Sequence, residues 1–270
     1  MELHTIGSGG GYTENDVSAF AKILTGWSYV RGWEADGGRN GGTQQNRGRF
    51  IFRGNWHEPG PIRFRNRTYP AEGLQQGVKA LLDLARSAAT AEHIAFKLVR
   101  HFITDEPTPE LVNPLKAKFI ETGGDLKAVA LALLRLPAAW STPLKKVRTP
   151  YELAIAQFRA LGTRYVADEF WAMSETLRAL HQSIWECPSP EGYSDDTPYW
   201  LDPDGMTIRL DTALLSAWVY GPRFNGSPAT LATKIFDRTL SVETRERIGA
   251  AGHKSYALTI LFSSPEFQRR

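Results

Sequence analysis

The run best suited to chemistry is His57-Glu58-Pro59-Gly60. A histidine beside a carboxylate can pass a proton or hold a metal, and a proline–glycine turn presents both side chains outward. The competing reading is a turn whose histidine hydrogen-bonds the local backbone. His4, preceded by Glu2, and His101, preceded by Lys97 and Arg100, complete the set. Positions 97, 100 and 101 share one face of an expected helix, where they could bind an anion or simply salt-bridge and cap neighbouring helices. A metal centre built from His4, His57 and His101 lacks the tight ligand spacing of zinc motifs, so no metal and no cofactor are assigned. The chain has no Gly-x-Ser-x-Gly elbow and no phosphate loop ending in Gly-Lys-Ser or Gly-Lys-Thr, which removes support for common hydrolase and nucleotide-enzyme plans.

Charge marks a second candidate. Residues 31–67 hold eight arginines against Glu34, Asp36 and Glu58, a local charge of +5 in a chain whose formal charge is +3. Arginine offers a planar fork suited to phosphate, carboxylate or sulfate, so Arg49, Arg53, Arg63 and Arg65 form a candidate anion-binding set. The alternative is a solvated loop kept soluble by its charge. Nucleic acid is disfavoured as a partner, because no recognised nucleic-acid-binding fold is legible.

The elements that must position these residues are mainly helical. With 270 residues and 42% hydrophobic composition the chain can bury a sizeable core, expected as a single helical domain over 1–270. Its one cysteine, Cys187, rules out an intramolecular disulfide and reads as a buried thiol. No basic stretch leads into an apolar run at Met1-Glu2-Leu3, so no export signal is expected, and no run has the length for membrane insertion.

Thr13 to Asp16 resembles a capping box and predicts a first helix running to about Trp27. Residues 31–49, rich in Gly and Arg, are expected as a long mobile loop. Residues 50–68 are expected as a β-hairpin insertion, with strands at Phe50-Ile51-Phe52 and Ile62-Arg63-Phe64. From Ala71 onward the pattern is helical, with Thr90 expected as a cap, Pro109 in a first helical turn, Gly123 ending that helix, and Asp125 and Thr149 capping later ones. A longer helix spans about 167–184. The proline-rich connection from Glu186 to Gly205 should be anchored by Trp185, Tyr193, Tyr199 and Trp200. Met206, Leu210, Leu214 and Trp218 then form one helical stripe, followed by helices near 228–238, 242–250 and 253–262. The expected architecture is an orthogonal bundle of about ten helices with one short β-hairpin and the Gly/Arg-rich loop.

Several stretches in order along the chain resemble one family. These are Glu2-Leu3-His4-Thr5-Ile6-Gly7 with Gly10-Gly11-Tyr12-Thr13, then Leu24-Thr25-Gly26-Trp27, and Trp56-His57-Glu58-Pro59-Gly60. Later come Phe96-Lys97-Leu98-Val99-Arg100-His101-Phe102, Lys146-Val147-Arg148-Thr149-Pro150-Tyr151-Glu152, Pro188-Ser189-Pro190-Glu191-Gly192-Tyr193, and Ser264 to Arg270. Together they resemble the bacterial domain of unknown function 1800 family. The resemblance implies that this chain corresponds to the C-terminal part of longer members, which often begin with an export signal. It also implies an Asp where Glu58 stands here, and it carries no activity.

The residues therefore point to a non-catalytic binding or assembly module, working beside another exported protein or on an anionic ligand through an arginine-rich hairpin. The alternative is a hydrolase whose His/Glu site lies near His57 and His101.

Overall fold

The computed structural model describes residues 1–37, 43–141, 144–162 and 167–270. The chain is mainly α-helical, as its periodicity predicts, with fourteen helices and a short β-hairpin among the described residues. The chain divides into two compact units: Met1–Phe96 with Val112–Ala132, and Lys97–Leu111 with Leu133–Arg270. No helix of the described residues is long and apolar enough to cross a membrane.

In the first unit, α1 (Glu14–Ile23) begins where the sequence places it. Thr13 Oγ1 accepts from the Asp16 amide, and the Asp16 carboxylate accepts from the Thr13 amide at 2.9 Å, satisfying two N–H groups that a helix start leaves open. Those contacts from the Thr13 backbone and hydroxyl hold the Asp16 carboxyl below its usual range. The helix stops at Ile23 rather than near Trp27, because Gly26 adopts φ +81° and turns the chain into β1 (Trp27–Tyr29). A Cβ at Gly26 would stand 2.7 Å from the Arg53 carbonyl oxygen, so only glycine fits.

Two strands lie where expected, but each pairs with a strand that the sequence reading did not place. β2 (Phe50–Phe52) pairs back with β1, Trp27 opposite Phe52 and Tyr29 opposite Phe50. β3 (Ile62–Phe64) pairs forward with β4 (Arg67–Tyr69), Ile62 opposite Tyr69. The two-residue turn Arg65-Asn66 closes that hairpin at a smaller loop-entropy cost than the longer Arg53 to Pro61 stretch would require between β2 and β3. Between β1 and β2, the segment expected as a mobile loop carries α2 (Gly32–Gly37) and a 3-10 turn at Gln44–Asn46. Gly38 to Gly42, including Arg39, lies outside the described residues.

β3, β4, α1 and α3 (Leu74–Ala85) enclose a core of Ile6, Ile23, Ile62, Phe64, Tyr69, Ala80 and Leu84. Phe64 is fully buried and stacks on Phe20 with centroids 5.1 Å apart, a burial that contributes about 2 kcal/mol. α4 (Ala88–Phe102), α5 (Pro109–Glu121) and α6 (Leu126–Arg135) each contribute residues to both units. Thr90, expected as a cap, lies inside α4 and donates its hydroxyl to the Leu84 carbonyl oxygen at 2.7 Å. Asp125 does cap α6, its carboxylate accepting from the Lys127 and Ala128 amides.

The second unit continues with α7 (Pro150–Ala160), α8 (Ala167–Ala179), α9 (Thr197–Trp200) and α10 (Pro203–Val219). It closes with α11 (Pro228–Phe236), α12 (Val242–Ala250), α13 (Lys254–Ser263) and α14 (Pro265–Gln268). Its core gathers Leu153, Phe236, Ile248, Leu258, Phe262 and Phe267. α10 packs on α13 through small side chains, burying Ala213, Ser216 and Ala217, and its larger apolar residues face outward. Trp185, expected as an anchor of the proline-rich connection, is 99% exposed. Trp200 and Tyr193 do the anchoring, donating to the Ser194 and Ser183 carbonyl oxygens at 2.9 and 2.8 Å, while Tyr199 stays half-exposed.

Candidate functional site

The His57 turn is a lock in the first unit. His57 Nδ1 donates to the Thr25 carbonyl oxygen at 2.9 Å, and the Thr25 hydroxyl accepts from the Glu58 amide at 2.8 Å while donating to Lys22. From the other side, fully buried Gln76 of α3 donates its side-chain amide to the carbonyl oxygens of Gly60, Tyr69 and Pro70. His57 packs edge-on against Phe52, and its Nε2 is buried without a partner among the described residues. Glu58 keeps an exposed carboxylate, and His4 is exposed on the N-terminal turn.

That N-terminal turn meets a histidine that the sequence reading missed. His93 of α4 bonds the Leu3 carbonyl oxygen at 3.3 Å, and Gly7, at φ +75°, leaves room for its ring: a Cβ there would lie 2.7 Å from His93 Nδ1. His93 sits one helical turn before Lys97, but no local spacing marks it as a partner of residues ninety positions away.

The four arginines of the expected anion site have different fates. Arg53 is buried and donates to both carboxylate oxygens of buried Glu34 at 2.7 and 2.8 Å, with its guanidinium over the Trp56 ring. Arg65 occupies the hairpin turn at φ +53°, where its amide donates to Asp16 at 2.6 Å and its guanidinium to the Gly10 carbonyl oxygen. Arg53 and Arg65 are thus spent inside the protein. Arg49 and Arg63 remain exposed.

In the second unit the residues of the α4 face do come together, with partners the sequence left unnamed. Arg100 grips Asp196 with two hydrogen bonds of 2.7 and 2.5 Å. His101 Nδ1 donates to Asp195 at 2.7 Å, and this bond, with the Lys97 charge among lesser causes, holds the Asp195 carboxyl below its usual range. Lys146, almost wholly buried, donates to Asp105 and to the Asp195 carbonyl oxygen. Burial pushes Asp105 up, yet hydrogen bonds from Lys146 and Thr197 outweigh it and leave the carboxyl lowered.

The chain end completes this network. The Arg270 amide donates to the Lys146 carbonyl oxygen at 2.9 Å, and Val147 bridges Arg269 in antiparallel fashion. The Arg270 guanidinium pairs with Glu152 at 2.7 Å, donates to the His101 carbonyl oxygen at 2.9 Å, and faces His101 Nε2 at 3.3 Å. Glu152 also caps α7 by accepting from the Thr149 amide. Arg209, fully buried, donates to Trp200, Gln268 and Arg148 acceptors, and burial pushes its guanidinium down to about 10.

An Asp–His pair is the orienting half of a nucleophile–base–acid triad, but here the second ring nitrogen meets a guanidinium instead of a hydroxyl or a thiol. His57 and His101 belong to different units, each with its own partners. No group of three or more His, Cys, Asp or Glu side chains among the described residues is arranged to hold a metal. The network's chemistry is that of a charge-paired clamp joining α4, the Asp195-Asp196 connection, the segment before α7 and the chain end.

Fold and network define a mainly helical protein whose ionisable residues are organised into internal clamps. The chain belongs to the family described as Protein of unknown function (DUF1800), which matches residues 1–269. No curated protein and no solved structure matches it.

Proposed function

We propose that this chain is a non-catalytic binding and assembly module that docks a basic, amphipathic helix of a separate protein on the outward face of α10. The observation that carries this reading is the orientation of α10. Leu210, Leu214, Leu215, Trp218 and Val219 are all 40–60% exposed, although an α-helix normally turns such residues inward. Tyr256 of α13 extends the surface by packing edge-on against Trp218. Together these residues offer roughly 600 Å², the upper end of what a monomer's largest apolar patch reaches.

Charge selects the occupant. The ionisable residues on the outward arc of α10 are Asp204 and Asp211, with His253 stacked on Trp218 at one end of the face, while Arg209 is buried. Two copies packed antiparallel through this face would set Asp211 near its own symmetry mate, a like-charge contact that disfavours self-association. A helix with an apolar stripe flanked by Lys or Arg meets the face without that cost. Of the four arginines of the expected anion site, by contrast, Arg49 and Arg63 alone stay exposed, and the ring nitrogens of His101 face Asp195 and Arg270 while His57 Nδ1 is given to Thr25.

Fluorescence anisotropy with two leucine-striped helical peptides, one flanked by lysines and one by glutamates, tests the reading. The lysine peptide should bind the chain, Leu215→Glu should abolish binding, and Asp211→Lys should reverse the preference. Equal binding of both peptides overturns it. So does concentration-dependent dimerisation, seen by sedimentation, that Leu215→Glu removes.

A further inference from the structure

We propose that the groove between α7 and α11 is a binding site for a small amphiphilic anion, a carboxylate or phosphate monoester carried on an unbranched apolar chain. The groove lies wholly within the second unit and is an open cleft of about 780 Å³, inside the roughly 300–1,000 Å³ range of small-molecule sites. One face of α7 and one of α11 line it, and its apolar surface comes from Ile155, Ala156, Leu231, Ile235, Phe224 and Phe267. It is therefore separate from the outward face of α10 and goes beyond the docking role.

Its charge is one-sided. Arg148, Arg159, Lys234 and Arg270 line the groove against a single carboxylate, Glu152, which Arg270 already pairs at 2.7 Å. The inner two cations are built in: Arg148 lies 5.4 Å from the centre of the Phe267 ring and donates to the Phe267 carbonyl oxygen, and Arg270 is held by His101. Arg159 and Lys234 stand exposed at the rim, with no carboxylate paired to them among the described residues. Low-dielectric walls lined by one sign of charge concentrate the opposite sign.

The cations are spread along the groove and not gathered round a point, and the floor between them is apolar. A bare phosphate or acetate would use the rim and leave the floor wet, while a neutral lipid would fill the floor and leave the rim unanswered. An anionic head on an apolar chain satisfies both, and each methylene it buries should tighten binding roughly fourfold.

Isothermal titration with octanoate, decanoate and decyl phosphate, below their micelle concentrations, tests the proposal on the full chain. Affinity should rise with chain length, fall with added salt, and be absent for inorganic phosphate, acetate and decanol. Arg159→Ala with Lys234→Ala should weaken decanoate and decyl phosphate binding at least tenfold at unchanged Tm. If only decyl phosphate binds, the head is a phosphate; if both bind alike, any compact anion serves. Equal affinity for decanol, or no effect of the double substitution, overturns the proposal. Displacement of decanoate by an acidic helical peptide that binds more tightly also overturns it, by assigning the groove to a protein.

Discussion

His101 directs its Nδ1 proton to a carboxylate oxygen of Asp195 at 2.7 Å, while the guanidinium of Arg270 occupies the approach to its other nitrogen. The arrangement is that of a clamp, so its loss should appear in stability. A hydrogen bond to a charged group contributes about 1.5–3 kcal/mol, and the partial exposure of both side chains reduces this. His101→Ala should therefore cost about 1 kcal/mol in urea denaturation. Combined with Asp195→Ala it should cost less than the two single losses together, since both delete the same bond. Strict additivity would show that the pair is not coupled.

Acid should weaken the same clamp. Asp195 is held down by its His101 hydrogen bond; Asp105 is pushed up by burial but brought lower overall by Lys146 and Thr197. A carboxyl whose folded value lies below its unfolded one contributes stability that is complete above the unfolded value and is lost as pH falls through the folded one. With an ordinary value of 3.8, these contributions should be whole above about pH 5 and decline progressively below pH 4. Asp105→Asn should lower stability at pH 7 and flatten the acid limb, because the substituted group no longer titrates. Denaturation midpoints between pH 2 and 7 give the comparison, and an unchanged acid limb would remove Asp105 from the account.

The buried pair of Arg53 and Glu34 carries a larger penalty when broken. Both side chains are nearly inaccessible, and Glu34 also accepts the Arg31 amide at 2.9 Å. Deleting one partner leaves an uncompensated charge, so Glu34→Ala should cost about 3–5 kcal/mol, whereas Arg53→Met with Glu34→Leu should recover much of the loss. Thermal unfolding of the three variants decides it: a double variant no better than the single ones would mean that packing, not charge, holds this site.

What was legible in the sequence follows from how far each interaction reaches. Helix starts were readable because their signals are local: Thr13 with Asp16, Asp125 with the two amides that follow, and Thr149 with Glu152 all act within three residues. Two of the four strands were also found, but their partner strands were not, because Gly26 and the Arg65-Asn66 turn decide the pairing and Arg65 is not a residue that normally marks a positive φ. The cationic face of Lys97, Arg100 and His101 was seen, while Asp195 and Asp196 lie more than ninety positions on, beyond any spacing rule. Three of the stretches that carry the family resemblance, around His101, Lys146 and Arg270, meet in that network. The stripe on α10 was periodic as expected, but periodicity does not say which way a stripe faces. Small residues at 213 and 217 turned it outward.

Gly77 offers a test in which two ordinary effects oppose each other. Alanine normally stabilises a helix interior relative to glycine by roughly 0.5–1 kcal/mol. In α3, however, a Cβ at position 77 would lie 2.7 Å from Cζ2 and 2.8 Å from Nε1 of Trp27, and a rigid ring held by the β1–β2 pairing has little freedom to retreat. Overpacking of this kind costs about 1–3 kcal/mol, which exceeds the helix gain. Gly77→Ala should therefore destabilise the chain by about 1 kcal/mol, and Trp27→Phe in the same background should relieve part of the loss by shortening the ring. If Gly77→Ala raises the urea midpoint instead, Trp27 does not press on α3 as closely as these distances require.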